Sequence, residues 1–223
     1  MQLDSVQIGV ENLEAEVAAY EVLLGSPPLV LHGGGYRFQL ARGAVELDSG
    51  APGLRSIAFV AAADDPLRAA AGDAFNGIAV RLDPAAPVML PDAATVPAID
   101  HVVVHTTAPE RAIAVWRDRA GLRLALDREF ADRGLRLLFF RSGGITLEYA
   151  CAIGANAATG PDRFYGVSYR VPQLQPWRTR LLAAGVDVSE SRRGMRPGTS
   201  VCTVRSRTAG VPTLLLEVHG ESM

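Results

Sequence analysis

The chain has 223 residues, 48% of them hydrophobic, and a formal net charge of −2. That length supports a sizeable core in one or two domains. No basic patch suits nucleic acid and no polybasic run suits an anionic membrane. All 22 basic residues are arginine, which excludes lysine Schiff-base chemistry and fits a GC-rich bacterial genome. The two cysteines, Cys151 and Cys202, form no Cys-x-x-Cys pair. With no signal-peptide pattern at Met1–Asp4 and no run of membrane-spanning length, the expectation is a cytoplasmic protein.

An internal repeat organises the chain. Leu3–Val10 aligns without gaps on Ile99–Thr106, an offset of 96 residues, and the same offset carries Tyr20 onto Trp116 and Gly25 onto Gly121. Each copy reads as an alternating strand followed by an amphipathic helix. Asn12 and Thr107 are the expected N-caps, Pro109 fits a first helical turn, and Gly25 and Gly121 fit the positive-φ position that closes a helix.

Short strands follow each helix. In the first copy they are expected at Leu29–Gly33, Tyr36–Ala41 and Ala44–Leu47, and in the second at Leu122–Asp127, Gly134–Arg141 and Ile145–Ala150. A truncated unit lies between the copies, with strand Leu54–Ala61, a helix over Pro66–Ala71 and strand Ile78–Leu82. A last unit reads as strand Phe164–Val171, helix Gln173–Ala184, and strands Val186–Glu190, Ser200–Arg207 and Thr213–Val218. Pro84, Pro87, Pro91 and Pro97 mark a linker. The expected organisation is therefore a degenerate N-terminal domain over 1–83, a linker over 84–97 and a C-terminal domain over 98–223. The fold class is α+β.

Tandem strand–helix–strand–strand–strand modules resemble the vicinal oxygen chelate superfamily, which includes glyoxalase I, extradiol ring-cleaving dioxygenases, epimerases and bleomycin-resistance proteins. The resemblance implies cup-shaped mixed sheets flanked by helices, with a divalent metal inside the cup held by residues of the first and last strands of each module. Carried over position by position, it places metal ligands at His101 in Ile-Asp-His-Val, Glu148 in Ile-Thr-Leu-Glu and Glu217 in Leu-Leu-Leu-Glu. The fourth position falls on Gly166, so one ligand is missing. Ser5 and Ser56 stand at the corresponding histidine positions of the N-terminal pair, where Glu46, with Asp48 beside it, is what remains of a ligand set. That pair reads as structural, or as a metal-free pocket.

Strand parity gives an independent reading. His101, Val103 and His105 share one face of their strand, Thr146 and Glu148 share one face of theirs, and Glu217 and His219 share a face with Leu215. The polar sides, including Gly166, Ser168 and Arg170, are expected to line the concave space. One histidine and two carboxylates suit Zn²⁺, Fe²⁺, Mn²⁺, Ni²⁺ or Co²⁺ and leave positions open to substrate. Each residue also has a plainer reading. His101 fits a hydrogen-bonded core histidine, and Glu148 and Glu217 fit ion pairs with Arg141, Arg170 or Arg205.

The expectation is a metalloenzyme acting on a small substrate with adjacent oxygens. Glyoxalase-type lyase or isomerase chemistry comes before ring-cleaving dioxygenation. Glu148 or Glu217 would be the base, and Ser168, Arg170, His105 and His219 would contact substrate. The alternative is a metal-free small-molecule binding or resistance protein, for which glycine at position 166 would open the cup floor. A homodimer fits the superfamily pattern.

Overall fold

Alternation along the chain translates into strands whose two faces differ in burial. In the computed structural model, which describes residues 1–70, 75–83, 96–155 and 160–220, those strands form two mixed sheets, one of six strands and one of eight. The helices are short and flank the sheets, as expected for an α+β fold. Most of the expected linker, 84–95, and the last residue of the expected helix over Pro66–Ala71 lie outside the described residues. Among the described residues no helix is long and apolar enough to cross a membrane.

The chain divides into two compact units. The first contains Met1–Asp4, Ser56–Pro87 and His101–Tyr165, and the second contains Ser5–Arg55, Val88–Asp100 and Gly166–Met223. Strands β1 (Gln2–Val10), β5 (Gly53–Val60), β7 (Ala98–His105) and β11 (Arg163–Arg170) each begin in one unit and continue in the other.

In the first unit, β5 runs parallel to β6 (Ala79–Asp83) after the short helix α2 (Pro66–Ala70). Strand β7 runs parallel to β10 (Ile145–Ala152), β10 is antiparallel to β9 (Leu135–Ser142), and β9 is antiparallel to β8 (Arg123–Phe130) with a bulge between Leu124 and Leu126. Helix α3 (Pro109–Ile113) passes directly into a π-helical turn, Ala114–Arg119, closed by Ala120 N donating to Val115 O at 2.9 Å. The cap of α3 differs from expectation. Ala108 takes the cap position, and its N–H donates to Thr106 Oγ1 rather than to Thr107. Trp116 is buried, with Phe75 and Phe59 rings at 4.7 and 6.0 Å, and its Nε1 donates to the buried Tyr149 hydroxyl at 2.6 Å.

In the second unit, β1 runs parallel to β4 (Ala44–Ser49), and β3 (Tyr36–Gln39) is antiparallel to β4 and to β2 (Leu29–Val30). Helix α1 (Leu13–Leu24) is capped by Asn12, whose side chain accepts from Ala15 N, and ends at Gly25 with φ 64°. Tyr20 is wholly buried and donates its hydroxyl to Thr208 O. Helix α4 (Leu174–Ala183) packs on β13 (Thr199–Val204) and β14 (Thr213–Val218). Its Arg180 reaches the carbonyls of Val22 and Leu23, answering acceptors that the end of α1 leaves without helical partners. The expected strand Val186–Glu190 reduces to a single bridge, Val188 to Val204. The outer pairing with β13 is made instead by β12 (Arg192–Arg193).

Candidate functional site

The ladder β7–β10–β9–β8 sorts its side chains cleanly. Val102 and Val104 of β7, and Ile145, Leu147 and Tyr149 of β10, are wholly buried on one face. On the other face, register aligns Thr146 with His101, Glu148 with Val103, and Ala150 with His105. His101 and Glu148 therefore stand on one face of adjacent parallel strands, two residues apart in register. His101 Nε2 lies 3.8 Å from Glu148 Oε2, and each side chain retains under a fifth of its exposure. That distance is too long for a hydrogen bond.

The geometry fits a shared cation. Imidazole nitrogen and carboxylate oxygen are the ordinary ligands of a borderline divalent ion, and His101 and Glu148 would supply one of each. His105 lies further along the same face. It is exposed and stacks on Tyr165, with centroids 4.3 Å apart and planes 19° from parallel.

The N-terminal copy shows what the same position does without a histidine. Ser5 is wholly buried where the repeat places His101, and Glu46 occupies the position of Glu148, aligned with Gln7 on β1. Across β3–β4, Arg37 stands opposite Glu46 and donates to its carboxylate at 2.7 Å. The corresponding cross-strand neighbour of Glu148 is Phe139.

Glu217 lies elsewhere than expected. Strand β11 pairs with β14 so that Ser168 aligns with Leu214, Tyr169 with Leu215, and Arg170 with Leu216. Leu215 shares its face with Tyr169 and, through β13, with Cys202, all buried under α4. Two residues on, Glu217 is on that helix-covered face, opposite the one carrying Ser168 and Arg170. Its Oε2 accepts from Leu174 N, the first amide of α4, at 2.7 Å. A carboxylate there satisfies an orphan amide and complements the helix dipole. Beside it, His219 Nδ1 is 3.5 Å from Glu217 Oε1, and His219 Nε2 is 2.9 Å from Ser200 Oγ. His219 thus belongs with Glu217 and Ser200. Ser168 and Arg170 are both buried on the opposite face of β11.

The missing histidine at Gly166 has a steric cause. A Cβ placed there would stand 2.3 Å from Pro212 O. The carbonyl belongs to the backbone leading into β14, and it accepts from Val167 N. Glycine at this position permits a close approach of backbone; it does not open room for a larger ligand.

No family model and no curated protein matches the chain. Solved structures do. A variant of 4-hydroxymandelate synthase from Streptomyces coelicolor superposes with a TM-score of 0.73 at 14% identity, over 100% of this chain and 94% of that one. The Mn(II)-bound glyoxalase from Novosphingobium aromaticivorans gives 0.72 at 18% identity, over 97% and 81%. The halotolerant catechol dioxygenase BphC gives 0.71 at 12% identity, over 97% and 86%. These identities are too low to carry an activity across; what the superpositions show is the fold, and the chain has the α+β fold of these proteins, two mixed sheets flanked by helices.

Proposed function

We propose that the protein is a metal-dependent enzyme acting on a small substrate with two adjacent oxygens, and that His101 and Glu148 hold the metal. The observation that carries this reading is the 3.8 Å approach of His101 Nε2 to Glu148 Oε2 on the open face of β7 and β10. A bound divalent ion would supply Lewis acidity toward the substrate oxygens. Glu148 is the one carboxylate of this face in the row beside His101. It is the residue placed to take a proton from a carbon next to a carbonyl, which favours lyase or isomerase chemistry. Glu217, engaged at the start of α4, is left out of the ligand set. The solved Mn(II)-bound glyoxalase, which shares this fold, supports a metal here.

The test is elemental analysis of the purified protein beside His101→Ala and Glu148→Ala. Stoichiometric metal in the wild type, lost in both variants, is expected. Turnover of the methylglyoxal–glutathione hemithioacetal or of catechols then separates the isomerase and dioxygenase readings. Equal metal in all three proteins would overturn the ligand assignment. No metal in any of them would favour a metal-free binding protein of the same fold.

A further inference from the structure

The face that carries His101 and Glu148 also carries two arginines that have no ion pair among the described residues. Register aligns Arg123 on β8 with Arg141 on β9, Arg141 with Thr146 on β10, and Thr146 with His101 on β7. The four residues form one row across the sheet, on one face. The next row is Leu126, Phe139, Glu148 and Val103.

Like charges directly opposite one another weaken an antiparallel pair. Both guanidinium groups are exposed, and among the described residues neither has an ion pair or a side-chain hydrogen bond. Arg136 on the same strand as Arg141 behaves differently, being held by Asp127 and Glu110. Arg128 on the same strand as Arg123 lies over the Phe130 ring.

We propose that Arg123 and Arg141 together bind an oxyanion of the substrate, a carboxylate or a phosphate, whose reacting end lies at His101 and Glu148. This rests on the metal-site reading above and narrows its substrate class. Two planar forks on adjacent strands match an oxyanion, which accepts two parallel N–H bonds from each fork and removes the repulsion between them. The distances suit a small molecule. At about 4.8 Å per strand, Arg141 stands one strand from Glu148 and about 10 Å, two strands, from His101. Leu126 and Phe139 supply an apolar floor in the adjoining row. The matching substrate is amphipathic, with an anionic head, an apolar middle of roughly ring size, and adjacent oxygens at the far end.

The experiment titrates the full chain, freed of metal by chelation, with phenyl phosphate, 3-phenylpropionate and the neutral 3-phenylpropanol. Arg123→Ala, Arg141→Ala, the double variant and Arg141→Lys are measured alongside. The wild type is expected to bind at least one of the anions and to bind the alcohol at least about tenfold more weakly. The double variant is expected to lose about tenfold or more in anion affinity, with Arg141→Lys between it and the wild type. Preference for phenyl phosphate assigns a phosphate head, and preference for phenylpropionate a carboxylate. Because both arginines are exposed, all variants should melt no lower than the wild type. Unchanged anion affinity in the double variant, or equal binding of the alcohol, overturns the proposal. Metal content, measured separately with His101→Ala and Glu148→Ala, tests the metal reading without touching the anion result.

Discussion

Glu148 faces Phe139 across β9 and β10, at the register position where Glu46 faces Arg37 across β3 and β4. One carboxylate is neutralised by its cross-strand neighbour at 2.7 Å, and the other has a benzyl group there. Phe139→Arg should therefore place a guanidinium where the proposed metal gains its charge compensation. Metal content by elemental analysis should fall toward that of Glu148→Ala, with the fold kept by circular dichroism. Wild-type metal in Phe139→Arg would show that the neighbour does not decide occupancy.

Glu217 separates a structural carboxylate from a ligand. As the acceptor for Leu174 N it resembles a cap supplied from another element, so Glu217→Ala should cost about 1 kcal/mol in urea unfolding, the scale of losing a helix cap. Glu217→Gln, which keeps an acceptor oxygen, should cost less. Neither should change metal content. A Glu217→Ala protein that is stable but metal-free would return this residue to the ligand set.

Gly166 should resist any side chain. Gly166→Ala puts a methyl 2.3 Å from Pro212 O, and overpacking of this kind typically costs about 1–3 kcal/mol. Gly166→His should be at least as destabilised and should bind no additional metal, read by thermal melting and elemental analysis. A histidine variant that melts like the wild type would mean the backbone near Pro212 yields easily.

The acid limb of stability should depend on Arg136. Its hydrogen bonds hold the Asp127 carboxyl below its ordinary value. A carboxylate with a lowered folded pKa contributes stability above the ordinary carboxylate range and loses it as pH falls through the lowered value. Arg136→Met should remove that contribution, so its melting temperature should fall less steeply with acid than the wild type's over that window. Parallel acid limbs would contradict the assignment.

Both thiols should be slow nucleophiles. Burial pushes the Cys202 thiol up to about 11 and also raises that of Cys151, which donates to Arg136 O. The reactive species is the thiolate. At pH 8 an aromatic disulfide reagent should label neither in the folded protein and both in denaturant. Fast labelling of one in the native state would place it in a more open environment.

Much of the architecture was readable in the order of residues. Alternation located the strands because one face of each packs under helices, and Thr213–Val218 has the expected bounds. Asn12 and Gly25 cap α1 as their chemistry requires. Val186–Glu190 was misleading because apolar alternation also fits a segment that makes one bridge, whereas the strand beside it is two arginines. For Glu217, parity correctly grouped it with Leu215. Parity cannot say which face the helix covers, and the register of Tyr169 with Leu215 decides that. The obstruction at Gly166 was invisible because Pro212 is distant in sequence. The Arg123–Arg141 opposition was hidden by the bulge between Leu124 and Leu126, which shifts the register along β8.

The interleaving of the two units bears on synthesis. The second unit joins Ser5–Arg55 to Gly166–Met223, and the first is not complete until Tyr165. A chain emerging from the ribosome at about 5–20 residues per second exposes helix α1 well before Arg180 and Thr208, which bond to Leu23 and Tyr20, exist. Strands β1 to β6 find their sheet neighbours among themselves by Asp83, so it is the covering of α1, not strand pairing, that waits for the end of the chain, a state in which a holding chaperone would be of most use.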